Sequence, residues 1–167
     1  HDPGWAELAR REGQRFAAAL GVDPRLVTIH HIGSTSIPGI QAKPIVDLLP
    51  EVTSLEWLDE RRPQIEAAGY EYWGEYGIPG RRFCPRKSAD GTRQANVHCF
   101  LSGEEHLIRH LAFRDYLKAH PAVAREYEQV KQECALRHPD DVQAYSDGKS
   151  DWIRATQQAA LQWWKDR

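Results

Sequence analysis

Hydrophobic and polar positions change period twice along this chain. Over Trp5 to Leu20, apolar Trp5, Leu8, Phe16, Ala19 and Leu20 recur near one face of a 3.6-residue helix, and Gly21 supplies the stop signal. Leu26 to Ile32 (LVTIHHI) is a β-branched run that predicts a strand, and Gly33 to Gly39 (GSTSIPG) reads as a turn-rich loop. Pro44 to Leu49 (PIVDLL) predicts a second strand, buried on both faces apart from Asp47. Thr53 opens TSLE, a capping box with Glu56 that starts a helix; Pro63 interrupts it and Gly69 ends it. Tyr70 to Trp73, Arg82 to Pro85 and Asn96 to Leu101 read as further strands, the last two joined by the turn Ser88-Ala89-Asp90-Gly91. After Ser102 the period becomes helical. Glu104 to Ala119, Pro121 to Arg137, Asp141 to Asp147 and Asp151 to Trp164 are four expected helices, with Ser150 as N-cap of the last and Trp152, Trp163 and Trp164 as packing residues. The fold class expected is α+β: a mixed or mostly antiparallel sheet with flanking helices, and an all-helical C-terminal third. No linker divides it, so residues 1–167 are expected to form one domain, with a sheet-containing core to about 102 and a helical part from about 103 packed on it.

Composition narrows the class. In 167 residues, 41% hydrophobic and 28% charged is a globular balance, and a net charge of −2 disfavours non-specific nucleic-acid or membrane-surface binding. Cys84, Cys99 and Cys134 are widely spaced, which argues against a disulfide framework or zinc ribbon and for a reducing, cytoplasmic home. No apolar run reaches the length of a membrane span, and no charged-then-apolar signal peptide opens the sequence. The chain opens on His1 and holds no Met, so it is expected to lack its true start.

Several residues stand out chemically. Gly33-Ser34 directly follows a strand, where glycine admits close backbone approach and the hydroxyls of Ser34, Thr35 and Ser36 can ring a phosphate. Asp47, a carboxylate in an apolar strand, needs a partner or a metal; Lys43, four residues earlier, is the expected partner. Arg81 to Arg93 carries five basic side chains against Asp90 alone, and Arg81-Arg82 is the expected clamp for an anion. The alternative is a solvated hairpin. His98 alternates with apolar neighbours, so it is a candidate metal ligand or general base if it shares the face of Asp47. His30 and His31 must point to opposite sides. Arg109, His110, Arg114 and Asp115 fall on one helix, with Asp115 placed to orient an arginine towards the sheet. Tyr145 and Lys149 are spaced to cover a base and a phosphate, although Gly148 is expected to break the helix between them.

A strand, a Gly-Ser loop and a second strand bearing Asp is how nucleotidyltransferases hold a triphosphate and its Mg²⁺. The resemblance goes further. HIGSTSIPGIQAKPIVDLL, AAGYEYWGEYGIPGRRFCPR, NVHCF, RHLAFRDYLKAHP and YSDGKSDWI, in that order and over nearly the whole chain, resemble the GrpB family. The family is similar in fold to DNA polymerase β-type nucleotidyltransferases, and some members are fused to dephospho-CoA kinase. The resemblance implies Gly33 and Ser34 on the phosphates of an NTP, Mg²⁺ on Asp47, and Arg81 and Arg82 neutralising charge. One departure matters: active enzymes of this fold pair Asp-x-Asp or Asp-x-Glu, and here Leu49 stands in the second place. Glu51 lies about 13 Å along the strand beyond Pro50 and cannot replace it without a bulge. Asn96 and His98 stand where a third carboxylate is expected. Two functions follow as expectations: a Mg²⁺-dependent nucleotidyltransferase, or a non-catalytic module that binds a nucleotide or other phosphorylated metabolite. A protein-binding accessory to dephospho-CoA kinase is a third.

Overall fold

The computed structural model describes residues 2–167. Four strands form one sheet in the order β1 (Leu26–Ile32), β2 (Val46–Val52), β4 (Arg93–Leu101), β3 (Arg82–Lys87). β2 runs parallel to β4, while the β1–β2 and β3–β4 pairs are antiparallel, so the sheet is mixed. Helix α1 (Gly4–Leu20) and the short α2 (Leu55–Glu60) and α3 (Arg62–Ala67) belong to the first part of the chain; α4 (Glu105–Ala119), α5 (Pro121–Arg137) and α6 (Val142–Lys165) complete it.

The alternation of β2 organises the interior. Val46, Leu48 and Val52 face a core shared with Phe16 and Leu20 of α1, Trp57 and Leu58 of α2, and Ile65 of α3. Leu49 faces the other way, into a second cluster with Ile32, Phe100 and Leu107, which seats α4 on the sheet. A third cluster ties Ile37 and Ile40, in the loop after β1, to Leu117, Ala124 and Tyr127 of the helical part. Asp47 lies on the β2 face that looks towards the helical part, next to Leu49's cluster.

Each difference from the sequence reading has an identifiable cause. β2 starts two residues later than expected and runs through Pro50 to Val52. Its partners on β4 pass from Leu48–Val97 to Glu51–Phe100, so Pro50, which lacks an N–H, falls in the gap. Glu51 is held there by His30, 3.0 Å away, and by the hydroxyl of Ser102. The N-cap of α2 is Ser54, whose hydroxyl accepts from the Trp57 amide at 3.1 Å; the Thr53 amide is engaged with the Arg25 carbonyl, so the helix starts one residue later than the TSLE reading. Tyr70 to Trp73 is an extended strip rather than a strand, bonding β3 through Glu71 to Pro85 and Trp73 to Phe83. The two expected C-terminal helices are one. Gly148 does not break α6, because it is where α6 crosses α5: a Cβ there would lie 3.0 Å from Cys134 Sγ. Ser150 is an interior residue that donates to the Ser146 carbonyl at 2.8 Å, not a cap. All three cysteines are free and buried.

Candidate functional site

The site begins where β1 ends. Ile32 pairs with Asp47 across the antiparallel ladder, and Asp47 pairs with Asn96 across the parallel one. The chain turns at Gly33 with φ +74° and ψ −177°, a region open only to glycine. The approach is close: a Cβ on Gly33 would stand 2.4 Å from Asp47 Oδ2. Asp47 Oδ1 accepts from Asn96 Nδ2 at 3.1 Å and lies 3.3 Å from His98 Nε2, so His98 does share its face. The expected Lys43–Asp47 pair is not formed; the Lys43 ammonium sits over the Tyr145 ring at 5.3 Å.

Beyond Asp47 a cavity of about 500 Å³ opens between the sheet and the α5–α6 pair. Gly33, Ser34, Asp47 and Asn96 line one wall, and Lys131, Tyr145 and Lys149 line the other. This is within the size range of small-molecule sites. Lys131 Nζ donates to Ser34 Oγ at 2.9 Å and to the Gln41 carbonyl at 3.0 Å. Burial lowers the Lys131 pKa to about 8, and the charges of Lys149 and Lys43 push the same way. Lys149 is lowered for like reasons, by burial first and Lys43 second. Its ammonium lies 4.4 Å from the centre of the Tyr145 ring, so that ring gathers two lysines. Since α6 is unbroken, Tyr145 and Lys149 share a face as their spacing implies.

Lys131 was not singled out in the sequence, yet a signal for it exists. Tyr127 and Lys131 repeat the Tyr-x-x-x-Lys spacing of Tyr145 and Lys149, and Lys131 lies 4.9 Å over the Tyr127 ring. Of the three hydroxyls after Gly33, only Ser34 meets a lysine. Thr35 lines the cavity, but its Oγ1 is 2.8 Å from His31 Nε2, and Ser36 donates back to the Gly33 carbonyl at 2.6 Å. Burial, then the charge of Lys118, lowers the His31 pKa to about 4, so this ring is neutral at pH 7.

The arginines lie elsewhere. None of Arg81, Arg82, Arg109 and Arg114 lines the cavity, so the expected Arg81-Arg82 clamp does not form there. Arg82 is held by both carboxylate oxygens of Asp59, at 2.7 and 3.0 Å. Arg86 makes a bidentate pair with the buried Glu12, at 2.6 and 2.8 Å. Arg81 donates to the carbonyls of Glu75 and Tyr76 and pins the loop between Gly74 and Gly80. Arg114 is oriented by Asp115 at 2.7 Å and reaches the His31 carbonyl of β1 at 3.3 Å, as the position of Asp115 implied. Arg109 contacts His106 and His110.

A catalytic metal pair does not fit this donor set. Asp47 is the single carboxylate beside Gly33, Leu49 is fully buried in the apolar cluster under α4, and Glu51 is occupied by His30 and Ser102. Among the described residues no three His, Cys, Asp or Glu side chains come together as a metal site. Two-metal transfer needs more carboxylate oxygens than Asp47 provides.

The match to the GrpB protein family model runs over residues 1–159. The chain belongs to the GrpB family. It is 36% identical to the crystal structure of conserved protein GrpB from Enterococcus faecalis, with a TM-score of 0.90 over 98% of this chain and 96% of that one. It is 43% identical over 163 residues to UPF0157 protein YqkA of Bacillus subtilis, covering 98% of this chain but 46% of that protein. The chain thus spans about half the length of that relative. A dephospho-CoA kinase of Mycolicibacterium paratuberculosis is 29% identical over 187 residues, covering 97% of this chain and 45% of the kinase. At 13% identity and a TM-score of 0.54 over 82% of this chain, the GrpB fold also resembles that of the Cid1 poly(U) polymerase, a nucleotidyltransferase. Among the described residues no helix is long and apolar enough to cross a membrane.

Proposed function

We propose that this GrpB domain binds a phosphorylated small molecule, a nucleotide in the first instance, in the cavity between Gly33-Ser34 and the α5–α6 lysines. The observation that carries the reading is the convergence of Lys43, Lys131 and Lys149 on one cavity beside the Gly33 turn. Three ammonium groups around a polar turn offer charge-assisted bonds to phosphate oxygens and outnumber the two carboxylates, Asp47 and Glu128, that line the same cavity. The reading is of binding rather than of two-metal transfer, because the lysines supply the charge that a metal pair otherwise would. Mg²⁺ on Asp47 is therefore not required for the phosphates to be held. The likeness to nucleotidyltransferase folds makes nucleoside triphosphates the first probes, and the dephospho-CoA kinase relative adds dephospho-CoA.

The test is thermal unfolding with each of these compounds, with Mg²⁺ and with a chelator in its place. A ligand at a hundred times its dissociation constant adds about 2.7 kcal/mol, or roughly 5–11 °C for a domain of this size. The expected result is such a shift for at least one compound, retained in the chelator and lost in Lys131→Ala. A shift that needs Mg²⁺ and vanishes in Asp47→Ala transfers the reading to a metal-dependent nucleotide site. No shift with any compound removes the proposal.

A further inference from the structure

On the His98 side of Asp47, β4, α4 and the residue after the Gly74–Gly80 loop bring five basic side chains together. Arg81 Nη1 lies 3.5 Å from His98 Nδ1, and the His98 and His110 rings are 5.9 Å apart. Arg109 Nη2 lies 3.2 Å from His106 Nδ1 and 3.5 Å from His110 Nε2. Phe100 stands between the two α4 histidines, 5.5 Å from one ring and 5.8 Å from the other. None of the five lines the lysine cavity.

Counter-charge in the cluster is sparse: the Glu75 and Glu104 carboxylates stand by Gly80, next to Arg81, without pairing with it. Asp47 lies against His98, but among the described residues no carboxylate pairs with Arg81, His106, Arg109 or His110. The neighbouring arginines differ: Arg82, Arg86 and Arg114 each hold a carboxylate. Glu105 acts on Arg109 only at longer range. Arg81 is 8% exposed, with Nε and Nη2 donating to the carbonyls of Glu75 and Tyr76. Nε and Nη1 of Arg109 have no partner among the described residues, and Nη2 meets only imidazole nitrogens. Burial lowers the pKa of both guanidiniums, Arg109 adds to the effect on Arg81, and burial holds His110 neutral. Gathering partly buried cations without an anion costs stability that a bound oxyanion would return.

We propose that Arg81 and Arg109, with the imidazoles of His98, His106 and His110, form a second anion subsite that holds a carboxylate or phosphate of a molecule approaching Asp47 from the His98 side. Arg109 presents its guanidinium fork to the oxyanion, Arg81 adds Nη1, and His106 and His110 offer the ring nitrogens that do not face Arg109, while His98, with its two ring nitrogens facing Arg81 and Asp47, positions Arg81. The subsite shares no residue with the lysine cavity, so it stands or falls independently of ligand binding there.

The test follows the imidazole ¹H–¹⁵N resonances of the full chain, assigned with His→Gln variants, during titration with inorganic phosphate and separately with acetate. The expected result is saturable movement of the His106 and His110 signals. It persists in Lys131→Ala, which disables the lysine cavity, and weakens roughly tenfold or more in Arg109→Gln, the scale of one charge-assisted bond. Arg109→Lys keeps the charge and loses the fork, and falls between the two. Movement with both anions assigns a general oxyanion site, and movement with phosphate alone assigns a phosphate site. Static His106 and His110 signals in the unaltered protein overturn the proposal, whatever the variants do. So does movement that sodium chloride of equal ionic strength reproduces, or movement lost in Lys131→Ala.

Discussion

Replacing Gly33 by alanine tests the geometry of the site directly. Two costs arise. The backbone at φ +74° and ψ −177° is closed to residues with a Cβ, at about 1–3 kcal/mol. The new Cβ would also lie 2.4 Å from Asp47 Oδ2 and 3.0 Å from Asp47 Cβ, which forces the carboxylate or the strand to shift, at about another 1–3 kcal/mol. Gly21 is the internal control. It has φ +78° and ψ 179°, nearly the backbone of Gly33, but nothing within 4 Å of an added methyl, so Gly21→Ala incurs the backbone strain without the collision. Thermal unfolding by circular dichroism, without ligand, should place Gly33→Ala below Gly21→Ala by about 1–3 kcal/mol, or roughly 2–12 °C in Tm. Adding Asp47→Ala to Gly33→Ala should recover part of the gap, because the oxygens leave and the Cβ stays. Equal melting of the two glycine variants would refute the claim that Gly33 is fixed by its approach to Asp47.

Three further predictions rest on other features. Burial alone would raise the Glu12 carboxyl, but Arg86 and Tyr70 hold it below its usual value. Its contribution is therefore complete above the unfolded value near 4.5 and is lost as pH falls through the folded one. Glu12→Gln should cost about 3–5 kcal/mol near neutrality, and the difference from the unaltered protein should shrink in acid melts. Because the Lys131 pKa is about 8, phosphate affinity measured by calorimetry should fall as pH rises through that value, and Lys131→Arg should flatten the slope. A slope unchanged by that substitution would assign the titration elsewhere. Gly148→Ala should destabilise despite alanine's helix preference of about 1 kcal/mol, since its methyl meets Cys134 Sγ at 3.0 Å; in a Cys134→Ala background the same change should stabilise.

The elements whose signal is local were legible in the sequence. LVTIHHI and the Pro121–Arg137 helix have the bounds their patterns imply. Two of the failures share one cause, a distant partner. Gly148 looked like a break because its reason, Cys134 on another helix, is not adjacent in sequence. Arg82 and Arg86 looked free for an anion because their partners, Asp59 and Glu12, lie 23 and 74 residues away. Asp47, Gly33, Asn96 and His98 were visible as residue types in a suggestive order, and the one thing the sequence left open, whether His98 shares the face of Asp47, is settled by the pairing of β2 with β4. Lys131 was missed because nothing around it departs from an ordinary surface helix except the tyrosine four residues before it.

The bond from Lys131 to Ser34 closes a span of 97 residues, and its bond to Gln41 closes one of 90. Contacts of such range carry the largest loop-closure entropy and form after local helices and hairpins. The lysine wall therefore meets the Gly33 turn late on the folding path. A ligand that bridges the two walls engages after the rate-limiting step, so it should leave the refolding arm of a chevron in place and slow the unfolding arm. Bound protein would then differ from free protein chiefly in how long it survives once folded, as lengthened resistance to proteolysis rather than as faster acquisition of structure.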